Sequence, residues 1–110
     1  MTIQVPLIVG VTGHRDLINE ETEAIKQKIS EFLHGLQNSF KGLELNVLSP
    51  LAEGADQLVA EVAAEMHIPI VALLPMPRLD YRSDFNEVSG EKFDRLIGIS
   101  SEIVELPFVT

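Results

Sequence analysis

The chain has 110 residues, a formal net charge of −9 and no cysteine. This length is typical of a single domain, which we expect to span residues 1–110, and the lack of cysteine excludes disulfides and thiolate metal sites. So large an excess of acidic groups disfavours binding to nucleic acid or to an anionic membrane, because both depend on clustered Lys and Arg. The N-terminus lacks both a basic segment and a long apolar run, so we expect no signal peptide, no membrane span and a cytoplasmic location.

The first half of the chain predicts two strands with a helix between them. Residues 6–12 form a nearly continuous apolar run, which is typical of a parallel strand covered on both faces. From about residue 20 to residue 40, apolar side chains recur at the spacing of one helical face, and residues 43–49 then predict a second strand. The apolar residues of that helix are Ile25, Ile29, Phe32, Leu33, Leu36 and Phe40.

The second half predicts two further helices and two further strands. Residues 55–66 predict a second helix, which Pro69 terminates, and residues 70–74 predict a third strand. Residues 75–90 form a long connection that contains prolines, and a connection of this length is usually functional or mobile. A helix over residues 91–101 and a fourth strand over residues 103–106 complete the predicted elements.

This alternation of strands and helices predicts an α/β fold. We expect a Rossmann-like three-layer sandwich, with a parallel sheet of at least four strands in the order 3-2-1-4 and right-handed crossovers. The predicted sheet stops after its fourth strand, whereas an average sheet has about five or six. The chain is therefore interpreted either as the N-terminal part of a longer protein or as a domain whose last strand is covered by a partner.

The first candidate binding loop follows the first predicted strand and reads Gly13-His14-Arg15. Ligands of doubly wound sheets bind at the carboxyl ends of the strands. Gly13 permits close approach of the backbone, and Arg15 offers a planar guanidinium to a phosphate or carboxylate, to which His14 can also donate. The alternative is that Gly13 only turns the chain and that Arg15 pairs with Asp16 or Glu20.

The second candidate loop runs from Ser49 to Asp56. Gly54 stands where the second helix begins, so the free N–H groups of the first turn can face an anionic ligand. Asp56 either caps that helix or accepts a hydrogen bond from a ribose or base, and Glu53 brings a negative charge close to the expected phosphate. Tyr81, the only tyrosine, lies in the long connection, where it either stacks on a base or packs against the sheet.

These motifs resemble a known group of proteins. The run from Leu48 to Asp56, the alanine-rich helix after it, the strand that ends before Pro75, and Tyr81 are similar to the Rossmann-like core of the DNA-processing protein A family and of the wider SLOG superfamily. A group of bacterial proteins of unknown function with a Val-Thr-Gly-His-Arg loop resembles the chain from about Leu7 to Pro107. The Pro-Gly-Gly-x-Gly-Thr motif of the related Lonely-Guy phosphoribohydrolases is absent. The resemblance implies a nucleotide or an NAD- or ADP-ribose-like ligand, bound over Gly13, His14, Arg15, Ser49, Gly54 and Asp56.

Three functions follow from these observations. The leading interpretation is a module that binds or senses a nucleotide-derived ligand. One alternative is an enzyme that cleaves an N-glycosidic or phosphate bond, with Glu53, Asp56 and His14 as the candidate acids or bases. The other is an assembly domain whose fourth strand pairs with a second copy to form a homo-oligomer. No metal site is predicted, because no cluster with metal-ligand spacing occurs.

Overall fold

A computed structural model describes residues 7–10 and 22–107 of the chain. Strands and helices alternate over these residues, which confirms the predicted α/β architecture. The long connection holds a short helix, and the last helix begins earlier than its apolar pattern predicts. The elements are β1 (Leu7–Gly10), α1 (Thr22–Ser39), β2 (Leu45–Ser49), α2 (Ala55–Glu65), β3 (Ile70–Leu74), α3 (Arg78–Arg82), α4 (Glu87–Ile99) and β4 (Glu102–Glu105).

The four strands form one parallel sheet in the order β1-β2-β3-β4. The predicted order 3-2-1-4 is therefore wrong. That order required the fourth strand to pair with β1. In the structure β4 pairs instead with the outer edge of β3, where Leu73 lies beside Val104. The last crossover continues in the direction of the first two because α4 packs against α2.

The helices cover one face of this sheet. Helix α2 contacts both α1 and α4, and it packs on β2 and β3. Buried and partly exposed residues alternate along both of these strands, as expected when only one face is covered. Among the described residues the sandwich has two layers and not the predicted three, because crossovers of one hand that always advance in one direction place every helix on the same side. The buried strand residues are Leu45, Val47, Ser49, Ile70, Ala72 and Leu74.

Helix α2 ends in a regular capping motif that directs the chain into β3. The N–H of Ile68 donates to the carbonyl of Ala63 at 2.8 Å, and the N–H of His67 donates to the carbonyl of Ala64 at 3.1 Å. This is the Schellman arrangement, in which the residue after the cap adopts a left-handed conformation. His67 occupies that position with a φ of 58°.

Candidate functional site

The structure describes five of the eight residues predicted to form the binding site. The other three, which follow β1 in the sequence, lie outside the described residues: Gly13, His14 and Arg15. The five that are described follow β2 or β3: Ser49, Glu53, Gly54, Asp56 and Tyr81.

Ser49 shapes the loop after β2 from within the protein. Its side chain is fully buried, and its Oγ accepts a hydrogen bond from the N–H of Leu51 at 3.0 Å. Leu51 is also fully buried and has a φ of 57°, a left-handed conformation that is uncommon for a side chain of this kind. The hydroxyl oxygen of Ser49 therefore holds a strained backbone turn directly before α2.

Gly54 begins helix α2 without a side-chain cap. Its φ of 92° and ψ of −128° lie in a region that glycine alone adopts readily. The N–H of Gln57 donates to the carbonyl of Ala52 at 3.2 Å, but the N–H groups of Gly54 and Ala55 have no acceptor in the part of the chain that the structure describes. Consequently, no described residue accepts from these N–H groups at the positive end of the α2 dipole, which lies at the carboxyl ends of the strands.

Asp56 and Tyr81 are both buried. Asp56 lies in the first turn of α2, where the helix dipole favours a carboxylate. The ring of Tyr81 is 5 % exposed and meets Phe85 and Phe93 edge-to-face, with centroids 5.1 and 5.6 Å away. This packing favours the interpretation of Tyr81 as a core residue over stacking on a base.

A cavity of about 250 Å³ lies where α2 and α4 begin. Helix α2 follows β2, and α4 follows β3 and the short α3, so both helices begin on the side of the sheet where the parallel strands end. Two of the predicted residues, Glu53 and Gly54, line this space, which we call the α2–α4 cavity. Its other polar lining includes Gln57, Glu61, Asn86 and Lys92.

A hydrogen-bond network joins the two sides of the α2–α4 cavity. The Nε2 of Gln57 donates to the carbonyls of Leu51 and Ser89, at 3.3 and 3.0 Å. The Oδ1 of Asn86 accepts from the N–H of Ser89 at 2.8 Å and so caps α4, while its Nδ2 donates to Glu53 Oε1 at 3.3 Å. The loop after β2 and the start of α4 are thereby held in one arrangement.

The two residues that bridge elements in this network, Gln57 and Asn86, are not among the predicted site residues. Asn86 carries a recognisable signal, since Asn is a preferred N-cap and Ser89 stands at the position whose N–H such a cap binds. Gln57 carries no such signal. It lies beside the apolar positions of α2, and only the approach of α4 buries its amide.

The charges at the cavity include two carboxylates and one ammonium. Glu61, whose side chain is 17 % exposed, accepts from Arg95 at 3.4 Å and lies 4.0 Å from the Nζ of Lys92. Glu53 is held on the α4 side by Asn86.

Within the described ranges, no three His, Cys, Asp or Glu side chains are grouped to hold a metal ion, and no helix there is both long and apolar enough to span a membrane.

No protein-family model matches the chain, and no curated protein matches it at a significant level. The resemblance to the SLOG superfamily therefore stays a prediction that rests on the loop motifs.

Proposed function

We propose that this domain binds a phosphate-bearing, nucleotide-derived ligand at the α2–α4 cavity. The observation that carries the proposal is the uncapped start of α2 beside that cavity. The N–H groups of Gly54 and Ala55 have no acceptor among the described residues, and Gly54 lines the cavity. A phosphate oxygen would accept from these groups and gain from the helix dipole.

The charges around the cavity are compatible with an anionic group at this position. The carboxylate of Glu53 accepts a hydrogen bond from Asn86, which holds it on the α4 side of the cavity. Lys92 adds a positive charge to the lining. The expected phosphate contacts of His14 and Arg15 stay predictions.

The proposal is tested by thermal unfolding with ribose 5-phosphate, AMP, NAD and ADP-ribose. A ligand at about 100 times its Kd stabilises the folded state by about 2.7 kcal/mol, which raises the Tm of a domain of this size by several degrees. We expect the Tm to rise with at least one of these compounds. We expect Arg15→Ala to lower the affinity for the same compound.

Two glycine variants separate binding from folding. Gly54→Ala and Gly42→Ala both place an alanine at a positive φ, 92° and 95°. Each is expected to destabilise the protein by about 1–3 kcal/mol. Gly42 precedes β2 and so lies at the amino ends of the strands, on the side of the sheet away from the cavity. Only Gly54→Ala should therefore abolish the ligand-induced shift in Tm. A shift that persists in Gly54→Ala, or no shift with any compound, would overturn the proposal.

A further inference from the structure

The amide of Gln57, a residue that lines the α2–α4 cavity, has a fixed orientation that leaves its oxygen as an acceptor. Both hydrogens of Nε2 are used by the carbonyls of Leu51 and Ser89, and since both neighbours are acceptors the orientation of the amide is settled. Oε1 accepts no hydrogen bond from the described residues. The residue is 3 % exposed and lines the cavity, and Oε1 is not fully buried.

Carboxylates add to this acceptor surface. Glu61 follows Gln57 by four residues on α2, so the two side chains lie on the same face of the helix. Glu53 lines the cavity from the loop before α2. Side-chain donors lie beside both carboxylates: Arg95 bonds Glu61 at 3.4 Å, Lys92 lies 4.0 Å from Glu61, and the Nδ2 of Asn86 bonds Glu53.

The part of the cavity around Gln57 selects for N–H donors. A ligand amino group placed against Oε1 makes the hydrogen bond that the protein leaves unmade. A carbonyl oxygen in the same place would set two acceptors against each other and leave both desolvated, which costs more than a lost bond. The nearby carboxylates strengthen the preference when the donor is positively charged.

We infer that the α2–α4 cavity binds the amino or ammonium group of its ligand, with Gln57 Oε1 as the primary acceptor and Glu53 and Glu61 as supporting acceptors. This inference rests on the proposed function and adds to it the chemical group that distinguishes one phosphate-bearing ligand from another. Two sources share this chemistry, an exocyclic amino group on a base and a primary ammonium.

Matched ligand pairs test the inference by calorimetric titration of the whole chain. AMP and purine riboside 5′-phosphate differ at one position, where AMP has an amino group and the other compound has a hydrogen. O-Phosphoethanolamine and ethyl phosphate differ by the ammonium. We expect the amino member of one pair to bind at least about tenfold more tightly, in line with one hydrogen bond gained by an acceptor that otherwise stays unpaired. The pair that shows the preference identifies the source of the donor.

Three variants assign the preference to the cavity. Gln57→Met removes the acceptor at similar side-chain length and should abolish the discrimination within the pair. Glu61→Gln removes a charge from the lining and should reduce affinity for the amino member severalfold. Glu65→Gln makes the same change one turn further along α2, outside the cavity lining, and should leave binding unchanged. Should Gln57→Met fail to fold, as judged by circular dichroism, Glu61→Gln carries the test.

The outcomes separate this inference from the proposed function. Equal affinities within both pairs, with ribose 5-phosphate still bound, would overturn the inference and leave phosphate binding intact. The inference would also be overturned if folded Gln57→Met still bound the amino member of the pair more tightly. The same holds if Glu61→Gln discriminated within the pair as strongly as the wild type. Failure of every compound to bind would overturn both.

Discussion

His67 illustrates how one side chain can hold a conformation that glycine adopts at lower cost. Its φ of 58° completes the cap of α2, and it is exposed at that position. For an L-residue the left-handed conformation costs about 1–2 kcal/mol, and glycine avoids this cost but loses more entropy on folding. The hydrogen bonds of the cap come from the backbone, so they persist when the side chain is removed.

We predict that His67→Gly raises the free energy of unfolding by up to about 1 kcal/mol. Urea denaturation would show this as a higher midpoint with an unchanged slope. His34→Gly is the matched control, because His34 is exposed within α1, where glycine lowers stability by up to about 1 kcal/mol. A lower midpoint for His67→Gly would contradict the assigned cap.

Ser49 shows what a loop motif predicts and what it leaves open. The sequence correctly placed Ser49 and Gly54 at the carboxyl edge of the sheet, because short apolar runs mark where strands end. It could not distinguish a residue that contacts a ligand from one that supports the loop. That distinction depends on the burial of Ser49, and burial is set by contacts between distant elements.

Helix α4 begins at Glu87, four residues before the start predicted from its apolar spacing. The spacing reports only the buried face, whereas the start is fixed by Asn86. Helix α3 was likewise invisible to periodicity. The Nε of Arg82 lies 3.1 Å from Asp94 on α4, and the Arg82 guanidinium fills space that a side chain at Gly90 would occupy. Elements held by such tertiary contacts carry little local sequence signal.

We predict that Asn86→Ala lowers the free energy of unfolding by about 1 kcal/mol, since it removes the cap of α4. Asn86→Asp keeps an acceptor for the N–H of Ser89 but sets an oxygen against Glu53, so its loss at neutral pH should be smaller than that of Asn86→Ala. Chemical denaturation measures both. Asn38→Ala, at an exposed position of α1, is the control and should change little. Equal stability of Asn86→Ala and the wild type would exclude the capping role.

The order of strands is a property of the whole molecule that the handedness rule does not determine. That rule fixes the hand of each crossover but leaves open whether the next strand joins the growing edge or returns to the start. Here the choice is made by the packing of α4 on α2. Repeated advance in one direction explains both the order β1-β2-β3-β4 and the two described layers.

Introduced cysteines test the strand order directly, because the chain has none of its own. We predict that Leu73→Cys combined with Val104→Cys forms an intramolecular disulfide under mild oxidation, since the two residues are registered partners on neighbouring strands. Gly10→Cys combined with Val104→Cys should not, because β1 and β4 lie at opposite edges. Mass spectrometry and gel mobility at low protein concentration read out both. A disulfide in the second variant alone would restore the order 3-2-1-4.

The net charge of −9 affects the stability of the whole molecule. Unbalanced carboxylates repel one another in the compact state, and salt screens this repulsion. We predict that raising NaCl from about 10 to about 150 mM, which shortens the Debye length from about 30 to about 8 Å, increases the free energy of unfolding by up to about 1 kcal/mol. Denaturation at a series of salt concentrations measures this. A decrease would mean that ion pairs such as Lys26–Glu65 outweigh the repulsion.

The strand order also determines how the sheet responds to tension. The amino end of β1 and the carboxyl end of β4 stand at opposite edges and at opposite ends of the parallel strands. A pull applied through these two points passes in turn across three ladders of hydrogen bonds, and each is loaded along the strands. Bonds loaded in this way share the force and break together, unlike those of a hairpin opened from one end. In the order 3-2-1-4, a single ladder would separate the same two points.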